Sequence, residues 1–497
     1  MIAGRAAAGV LLVAVLAGCG TTVPLAERSS STGTSGGSDV PATAPPTVSG
    51  PGGASGSSTG TSGSSGSSTG TQQAMSTTGA NETGTSTSGA GSTGASVDRS
   101  PLTVGVTYID NDQTSHALGV SDATTATKQN VVRGLVRGIN LRGGVAGRQL
   151  KLVEYEWNSQ SDNWSADASA ACALFTQDHH VSVVLDNAFG TIGGFRGCLQ
   201  AKGVLSLQTA PEGDDVSSGA ARLHANTYNL TTDRAYVATL VGLARTGYLA
   251  RSSKVGVIVE TCAETQRAWT RSVQPRLRSL VAAAPQLATV ACTGGFADAG
   301  AAATAVSNDV LRFRSAGVDR VLFVSDNESV LLLLFASTAG SQGYTPGYLL
   351  SSAAQAQAIR SQLPANQQPQ LHGVGQLPFG DTDGATDRPV DARCLSLVRA
   401  GGVAAASYAD RGVVTFECGP LLLLEAALRA TGGVATTTAL STAVDGLGSA
   451  FPAPGLVSSA STFGAGRHDG PALLRVFGYV AACTCMRYSG AALAAAQ

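Results

Sequence analysis

Nine cysteines are the residues of this sequence whose chemistry is easiest to define. Cys19 stands alone near the start, at the end of a short apolar run. The other eight form an even set, which favours disulfides if the protein is exported to an oxidising compartment. They are Cys172, Cys198, Cys262, Cys292, Cys394, Cys418, Cys483 and Cys485. We expect at least three bridges among them.

One pairing follows from position. Cys262 and Cys292 each lie at or just past the carboxyl end of a candidate strand, and the two strands are one crossover apart, so they should be neighbours in a parallel sheet. Closing the loop of roughly 30 residues between them would stabilise the fold by about 3 to 4 kcal/mol in the chain-entropy model. The pairing of the last four cysteines is open, and Cys394 with Cys418 is one option. Cys483 and Cys485 would then bridge each other in a small ring or pair elsewhere.

Motifs of enzymatic and metal chemistry are mostly missing. The sequence has no P-loop, no HExxH, no Cys-x-x-Cys pair with zinc spacing, and no GxSxG outside its Ser/Gly-rich N-terminal tract. His179 and His180 precede a strand with no second ligand cluster nearby, so we interpret them as a solvated loop pair. Residues 110–112 (DND) lack the glycine and the terminal glutamate of an EF-hand loop. We expect no enzyme, no metal and no cofactor.

The first 19 residues indicate export. Arg5 precedes an apolar stretch over 6–17, and small residues lead to Cys19. The sequence LAGC at 16–19 resembles the lipobox of bacterial lipoproteins, in which the cysteine is acylated and the peptide is cut before it. This implies a signal peptide over 1–18 and a chain lipid-anchored at Cys19 on the outer face of the cell membrane. A plain secretory peptide or an N-terminal membrane helix is the alternative.

Residues 19–100 differ in composition from the rest of the chain. From about residue 28 to 98 they are almost all Ser, Thr, Gly and Ala, with too little apolar surface to offset the entropy of ordering. We predict a disordered tether whose mean reach is about 45 Å, from roughly 5 to 6 Å per root residue. Glycosylation or cell-wall binding of this tract is an alternative role.

Overall charge and hydropathy argue against two further classes, nucleic-acid binding proteins and membrane-spanning proteins. The formal net charge is -1, from 32 basic and 33 acidic residues, so no net positive field would attract nucleic acid. No uninterrupted apolar run reaches the roughly 18 to 20 residues that span a bilayer. The body that follows the tether is therefore expected to be soluble.

From Pro101 onwards, short apolar runs alternate with longer segments of helical spacing. Candidate strands cover 102–108, 150–157, 181–185, 204–207, 255–259, 287–292, 321–324 and 348–350, and candidate helices cover 125–141, 165–177, 192–202, 233–246, 263–284, 299–316 and 329–340. This alternation indicates an α/β protein with parallel sheets covered by helices on both faces. A body of nearly 400 residues exceeds the roughly 250 to 300 of one core, so we expect two lobes.

Ligands of such sheets bind outside the carboxyl ends of the strands. The loops at those ends cover 109–115, 186–191, 208–212, 260–264, 325–328 and 351–355. We therefore expect the binding residues to lie in these loops.

Several sequence segments between about 101 and 480 resemble those of a known family. The helix VVRGLVRGIN at 131–140 and the glycine turn RGGVAGRQL at 142–150 are the most specific, and KVGVIV at 254–259, SAGVDRVLF at 315–323 and GYTPGY at 343–348 add weaker matches. Together they resemble the type I periplasmic binding proteins, in particular the branched-chain amino-acid binding family of ABC importers. The resemblance implies two Rossmann-like lobes joined by three hinge crossings, with ligand between them.

Family topology places the crossings near Ala225, Ser352 and His468. The predicted lobes are lobe 1 over 101–224 with 353–467, and lobe 2 over 225–352 with 468–497. Related binding proteins often carry a bridge in the region of Cys172 and Cys198, which implies that these two cysteines pair.

The resemblance also implies a pocket. In the amino-acid-binding members, hydroxyls and backbone amides after the third and fourth strands of lobe 1 hold the ligand carboxylate, and an acidic residue of lobe 2 holds its ammonium. The corresponding lobe 1 residues here are Asn187, Thr191, Gln208, Thr209 and Ala210.

Two positions depart from the family pattern. Phe189 stands about where a serine is expected, and Ser352 stands where the acidic residue is expected. In lobe 2, Glu264, Asp326 or Glu328 could take over the ammonium.

These inferences predict a membrane-tethered, monomeric solute-binding lipoprotein. It would capture an amino acid or similar small polar solute and present it to an ABC permease, without nucleic acid or cofactor. A sensory or scaffolding lipoprotein that keeps the fold without import is the alternative.

Overall fold

The computed structural model of the chain describes residues 99–110, 112, 124–158, 161, 163–187, 194–209, 223–292, 299–325, 327–458, 460–464 and 466–495. Among the helices in these ranges, none is both long enough and apolar enough to cross a bilayer.

The strands, in chain order, are β1 (Leu102–Asp110), β2 (Leu150–Asn158), β3 (Val183–Asp186), β4 (Leu205–Gln208), β5 (His224–Asn226), β6 (Val255–Glu260), β7 (Gln286–Val290), β8 (Arg320–Val324), β9 (Gly347–Leu350), β10 (Leu371–Gly375), β11 (Leu473–Val480) and β12 (Cys485–Ala494). The α-helices are α1 (Thr125–Leu141), α2 (Trp164–Ala173), α3 (Phe195–Ala201), α4 (Thr232–Arg245), α5 (Ala263–Ala268), α6 (Gln274–Leu280), α7 (Ala299–Ser315), α8 (Glu328–Ser341), α9 (Ala356–Ile359), α10 (Pro378–Asp381), α11 (Pro389–Ala400), α12 (Tyr408–Ala430) and α13 (Thr437–Leu447).

Lobe 1 is built on a five-stranded sheet in the order β2-β1-β3-β4-β5, with every pair parallel. β1 and β3 are buried on both faces, which explains their nearly unbroken apolar sequences. α1, α11, α12 and α13 pack on one face. α2 and α3 pack on the other, around Trp157, Phe175 and Phe195. The predicted parallel sheet with helices on both faces is confirmed.

The start and end of α1 show how the sequence sets the element boundaries. The Thr124 hydroxyl accepts a hydrogen bond from the Thr127 backbone N–H and caps the first turn. After the helix, Gly144 has φ +76°, and a Cβ at that position would lie 2.0 Å from the Arg148 carbonyl oxygen. Only glycine fits there, so the turn leads directly into β2.

Lobe 2 is built on a seven-stranded sheet in the order β12-β11-β10-β9-β8-β6-β7. β6 to β10 pair in parallel, whereas β11 is antiparallel to both β10 and β12. One face packs on α7 and α8, and the other on α4 and α6. The β11–β12 hairpin was not predicted, because β12 is largely exposed and its sequence lacks a clear alternation.

The chain crosses between the lobes three times, as the fold class predicted. The first crossing follows β5, and the third precedes β11, where Asn226 and Asp469 form an isolated parallel bridge. The second crossing is not near Ser352, because β10 pairs with β9 and with β11. Residues 353–375 therefore belong to lobe 2, and the crossing begins at about Gln376.

The missed strand β10 explains this error. Its sequence, LHGVG, contains two glycines, which weaken a strand pattern. Gly373 is required there, since a Cβ would lie 2.5 Å from the Leu350 carbonyl oxygen and 2.2 Å from the Phe477 ring.

Four disulfides join neighbouring elements. They are Cys172–Cys198 between α2 and α3, Cys262–Cys292 beyond the ends of β6 and β7, Cys394–Cys418 between α11 and α12, and Cys483–Cys485 at the β11–β12 turn. Their Cα–Cα distances, from 4.7 to 6.3 Å, suit disulfide bonds. β6 and β7 are parallel neighbours, as the positions of Cys262 and Cys292 predicted.

Candidate functional site

Polar residues follow the strands of both lobes at their carboxyl ends, next to the crossings. In lobe 1, Asn187 follows β3 and Thr209 follows β4. In lobe 2, Ser325 follows β8 and Ser351 follows β9. The segment after the first crossing bonds to lobe 1, since Asn229 donates a hydrogen bond to the Thr209 carbonyl oxygen at 2.5 Å, and Asn229 borders the same small space as Ser325 and Ser351.

The predicted lobe 1 residues Asn187 and Thr209 are in direct contact. The Thr209 hydroxyl donates to the Asn187 side-chain oxygen at 2.7 Å, and the Asn187 amide donates to Glu417 at 2.5 Å. The Asn187 backbone N–H donates to the Thr107 hydroxyl, which itself donates to Asp186. Both ends of the Asn187 side chain are therefore fixed, which orients it at the end of β3.

Glu417 is the main lobe 1 residue that the sequence reading missed. It lies on α12, is 2% exposed, and is 230 residues away from Asn187 in sequence. Burial raises the pKa of the Glu417 carboxyl to about 8, against the opposing effects of the Lys128 charge and the Asn187 hydrogen bond. Much of this carboxyl is therefore protonated near neutral pH.

Gln208, the last residue of β4, is fully buried. Within the part of the chain that the structure describes, neither its amide nitrogen nor its amide oxygen has a hydrogen-bond partner. A buried amide with both atoms unpaired is unfavourable, and such groups usually bind ordered water or ligand. The predicted role of Gln208 as a ligand contact is compatible with this position.

Glu328, at the start of α8, is a fully buried acid of lobe 2. Its carboxylate accepts hydrogen bonds from the Ser351 backbone N–H at 3.1 Å, from the Ser351 hydroxyl, and from the Tyr236 hydroxyl at 3.3 Å. Burial nevertheless raises the pKa of Glu328 to about 8, because desolvation outweighs these bonds. Nearby Asp381 raises it further.

Two other acids at the described lobe 2 strand ends, Glu260 and Glu264, have protein partners. Glu260, at the end of β6, accepts a hydrogen bond from the Ser325 hydroxyl at 2.7 Å. Glu264 was predicted to meet a ligand cation, but it lies in the first turn of α5 and pairs with Arg267 on the same helix at 3.8 Å. That pairing makes Glu264 a weaker candidate than Glu328.

Ser352, predicted as a ligand contact, borders the small space at the lobe 2 strand ends, and its hydroxyl is already bonded to neighbouring groups. Its hydroxyl is within hydrogen-bond distance of Asp381 at 2.7 Å and of the Gln376 side chain at 3.1 Å, and it accepts from the Gln376 backbone N–H at 2.9 Å. Burial raises the pKa of Asp381 to about 6. Since Gln376 and Asp381 belong to the second crossing, Ser352 holds this hinge segment against lobe 2.

Several predicted residues lie outside the described ranges. They are Cys19, Phe189, Thr191, Ala210 and Asp326. The predictions made for them stay predictions.

A small space lies at the strand ends of lobe 2. It measures about 20 Å³ and is bordered by Asn229, Tyr236, Ser325, Ser351 and Gln376, among others. That is room for about one water molecule, so a larger solute does not fit within this space as it stands.

A larger groove of about 610 Å³ lies between the ends of α12 and α13. It is lined by Ala, Thr, Val, Gly and Leu, with no titratable side chain. Binding sites for small molecules combine apolar walls with a few convergent polar groups, so the strand ends fit that description better than this groove.

One group of potential metal ligands occurs in the described part of the chain. Oxygen or sulfur atoms of Glu260, Cys262 and Cys292 lie within 4.8 Å of one another. Both sulfurs belong to the disulfide, however, so they are not available as thiolates. Asp112, in the sequence DND, instead accepts hydrogen bonds from the Thr125 backbone N–H and hydroxyl at the start of α1.

No protein-family model and no curated protein sequence matches the chain. Solved structures do match. A possible leucine/isoleucine/valine-binding protein from Rhodopirellula baltica SH 1 shares 14% identity with a TM-score of 0.57, covering 80% of this chain and 98% of its own. A branched-chain amino acid ABC transporter protein from Thermus thermophilus with bound valine shares 15% at a TM-score of 0.57, with 80% and 97% covered.

The bound solute varies among these structures. A solute-binding protein of an ABC transporter from Rhodopseudomonas palustris BisB5, in complex with 3,4-dihydroxybenzoic acid, shares 12% identity at a TM-score of 0.55 and covers 80% of this chain and 99% of its own. At these identities the likeness concerns the fold. The fold is that of the type I periplasmic binding proteins, as the sequence predicted.

Proposed function

We propose that this chain is the solute-binding protein of an ABC importer, and that it captures a small polar solute between its two lobes. The observation that carries the proposal is that each lobe has a hydrogen-bonded polar group at its strand ends, beside the crossings. Lobe 1 supplies Thr209, Asn187 and Glu417, and lobe 2 supplies Ser351 and Glu328. Both groups lie next to the crossings, where hinge closure would bring them onto one ligand.

Opening of the lobes is part of the proposed function. The Gln376 side chain donates to the Tyr228 carbonyl oxygen at 3.3 Å and so connects the second crossing to the first. Once the lobes open, a bound solute would make polar contacts with the strand-end residues that now border a space for one water molecule. Micromolar affinity corresponds to about 8 kcal/mol, which a few hydrogen bonds and modest apolar burial can supply.

The solute we propose is an amino acid or a similar small polar molecule. Glu328, next to Ser351, would take the role of the acid that the family has at the position of Ser352. A ligand ammonium would pair with the ionised Glu328 carboxylate and displace its proton. Thr209 and Asn187 would hold the opposite end of the solute.

We further propose that the monomeric chain is held on the outer face of the cell membrane by lipid at Cys19. The LAGC sequence and the following Ser/Thr/Gly-rich segment support this anchoring. The partner would be an ABC permease in the same membrane, to which the closed lobes deliver the solute.

Native mass spectrometry of gently purified protein tests the proposal, because a retained solute would appear as added mass. Calorimetry with the identified solute then locates the site. Thr209→Ala should lower its affinity roughly 5- to 150-fold, from about 1 to 3 kcal/mol for a lost hydrogen bond with its partner left unsatisfied.

Thr246→Ala is the matched control. The Thr246 hydroxyl bonds the Leu243 carbonyl at the end of α4, away from the strand ends, and its loss should leave affinity unchanged. Full affinity in both Thr209→Ala and Glu328→Gln would place the solute elsewhere. Unchanged solute uptake in cells lacking the protein would favour the sensory alternative.

A further inference from the structure

The edge of lobe 2 opposite the candidate site carries an unusual charge distribution. α4, α6 and α7 end at this edge, and β6 and β8 begin there. Backbone hydrogen bonds connect its segments: Ala282 donates to the Arg251 carbonyl at 2.8 Å, and Asp319 donates to the Lys254 carbonyl at 2.9 Å. We call this surface the basic edge and define it as residues 241–256, 274–287, 312–321 and 480–484.

Six cations of the basic edge are exposed. They are Arg245, Arg251, Lys254, Arg276, Arg278 and Arg314. Among the residues that the structure describes, none of their side chains has an ion pair or a side-chain hydrogen bond. Asp319 is the one acid in the sequence of these segments, although the whole chain has a net charge of -1.

Helix dipoles explain only part of this pattern. Arg245, Arg278 and Arg314 lie in the last turns of helices, where a cation is favourable. Arg251 and Lys254 lie in the connection before β6, where no helix end requires them. The accumulation of charge therefore exceeds what helix capping accounts for.

Exposed apolar side chains occur on the same surface. Of the large apolar residues that are exposed in the described ranges, Leu287 (41%) and Val480 (38%) lie at this edge, and Leu311 (55%) lies one residue before it. Val480 begins the exposed tip of the β11–β12 hairpin, which the Cys483–Cys485 disulfide closes. In the sheet order, β7 and β11 lie about 24 Å apart, at roughly 4.8 Å per strand.

We propose that the basic edge docks on a membrane surface containing anionic phospholipid headgroups. Flexible, unpaired Arg and Lys side chains suit a diffuse layer of phosphates. The apolar residues are spread over the two ends of the sheet, whereas a protein interface concentrates them in one central patch. Each basic residue near an anionic surface strengthens binding about 5-fold, from roughly 1 kcal/mol.

Docking by this edge determines which way the binding site faces. Residues 263–280 run from the strand-end side of lobe 2 to the basic edge, a length of about 27 Å at 1.5 Å per residue. The candidate site would then face away from the membrane. The docked protein is in an orientation for capture, and it must leave the surface to deliver solute.

Vesicle cosedimentation tests the proposal on the full chain, with Cys19→Ala in every sample so that acylation cannot anchor it. One set of vesicles contains phosphatidylcholine with phosphatidylglycerol, and the other contains phosphatidylcholine alone. The test variant is Arg245→Gln/Arg251→Gln/Arg278→Gln. The control variant, Lys151→Gln/Lys202→Gln/Arg399→Gln, removes the same charge from exposed positions of lobe 1.

We expect preferential binding to the anionic vesicles, an approximately 100-fold lower partition coefficient for the test variant, and little change for the control. Added sodium chloride should weaken the wild-type interaction as screening increases. Near-ultraviolet circular dichroism verifies that both variants stay folded.

Three results would overturn the proposal. Equal partitioning into both kinds of vesicle would show that headgroup charge does not drive binding. An equal loss of binding in the test and control variants would show that net charge, and not the basic edge, is responsible. Binding to polyglutamate at the basic edge without a preference for anionic vesicles would indicate an acidic protein partner instead.

Discussion

Replacing Glu328 by glutamine tests the reasoning about the buried acids of the candidate site. The Glu328 carboxyl is fully buried and accepts hydrogen bonds from Ser351 and Tyr236. A glutamine side chain has nearly the same shape and keeps an oxygen for these donors, but it cannot ionise. The substitution therefore removes one titratable group and preserves most of its contacts.

The direction of the pH effect follows from the raised pKa. The folded value of about 8 lies above the ordinary value of 4.5, so the folded state holds this proton more tightly than the unfolded chain. The stabilisation is complete below about pH 4.5 and is lost as pH rises towards 8. Between about pH 5 and pH 7, this group alone should lower the free energy of unfolding by about 2 to 3 kcal/mol, at roughly 1.4 kcal/mol per unit.

Denaturant unfolding of wild type and Glu328→Gln across this pH range measures the effect. The free energy of unfolding of the variant should fall less steeply with pH, so that the difference between the two proteins changes by about 2 to 3 kcal/mol. Glu264→Gln is the control, because it makes the same change at a partly exposed position. Parallel curves for wild type and Glu328→Gln would refute the assignment of Glu328 as a buried, protonated acid.

Three further outcomes are expected. Thr209→Ala should lower the free energy of unfolding by about 1 to 3 kcal/mol, because it leaves the Asn187 oxygen unpaired, whereas Thr209→Ser should restore stability in urea titrations. Alkylation of denatured, non-reduced protein should label none of the eight cysteines beyond Cys19, and a labelled pair would show that its bridge does not form. Cys19→Ala should release the protein from membranes or leave its signal uncut, and normal processing with continued membrane fractionation would contradict lipid anchoring.

The features predicted from sequence are those set by local pattern and simple sheet geometry. β1, β3 and β6 are apolar runs buried on both faces, which gives a clear signal. The Cys262–Cys292 bridge followed from two strand ends one crossover apart. Asn187 and Thr209 follow adjacent strands, so their proximity also needed no information beyond the order of the strands.

The features that were missed depend on distant parts of the chain. Glu417 reaches Asn187 only because α12 packs on the lobe 1 sheet after the second crossing. Its sequence did contain a signal, since an acid amid the apolar residues of FECGPLLLL is unusual on a buried helix face. The second crossing was predicted near Ser352, one strand too early. The reason is that β10 is glycine-rich, so its sequence does not show that the chain stays in lobe 2 for one more strand.

The buried acids also bear on which solutes the site can accept. Glu328 and Glu417 have pKa values raised to about 8, so neither presents a full negative charge near neutral pH. A neutral solute or a carboxylic acid therefore meets little repulsion and finds protonated carboxyls that can donate hydrogen bonds. A solute with an ammonium group would favour the ionised form and release a proton on binding. The two acids are thus compatible with a neutral or acidic solute and with a solute that carries an ammonium group. Measuring whether a proton is released on binding distinguishes these two kinds of solute.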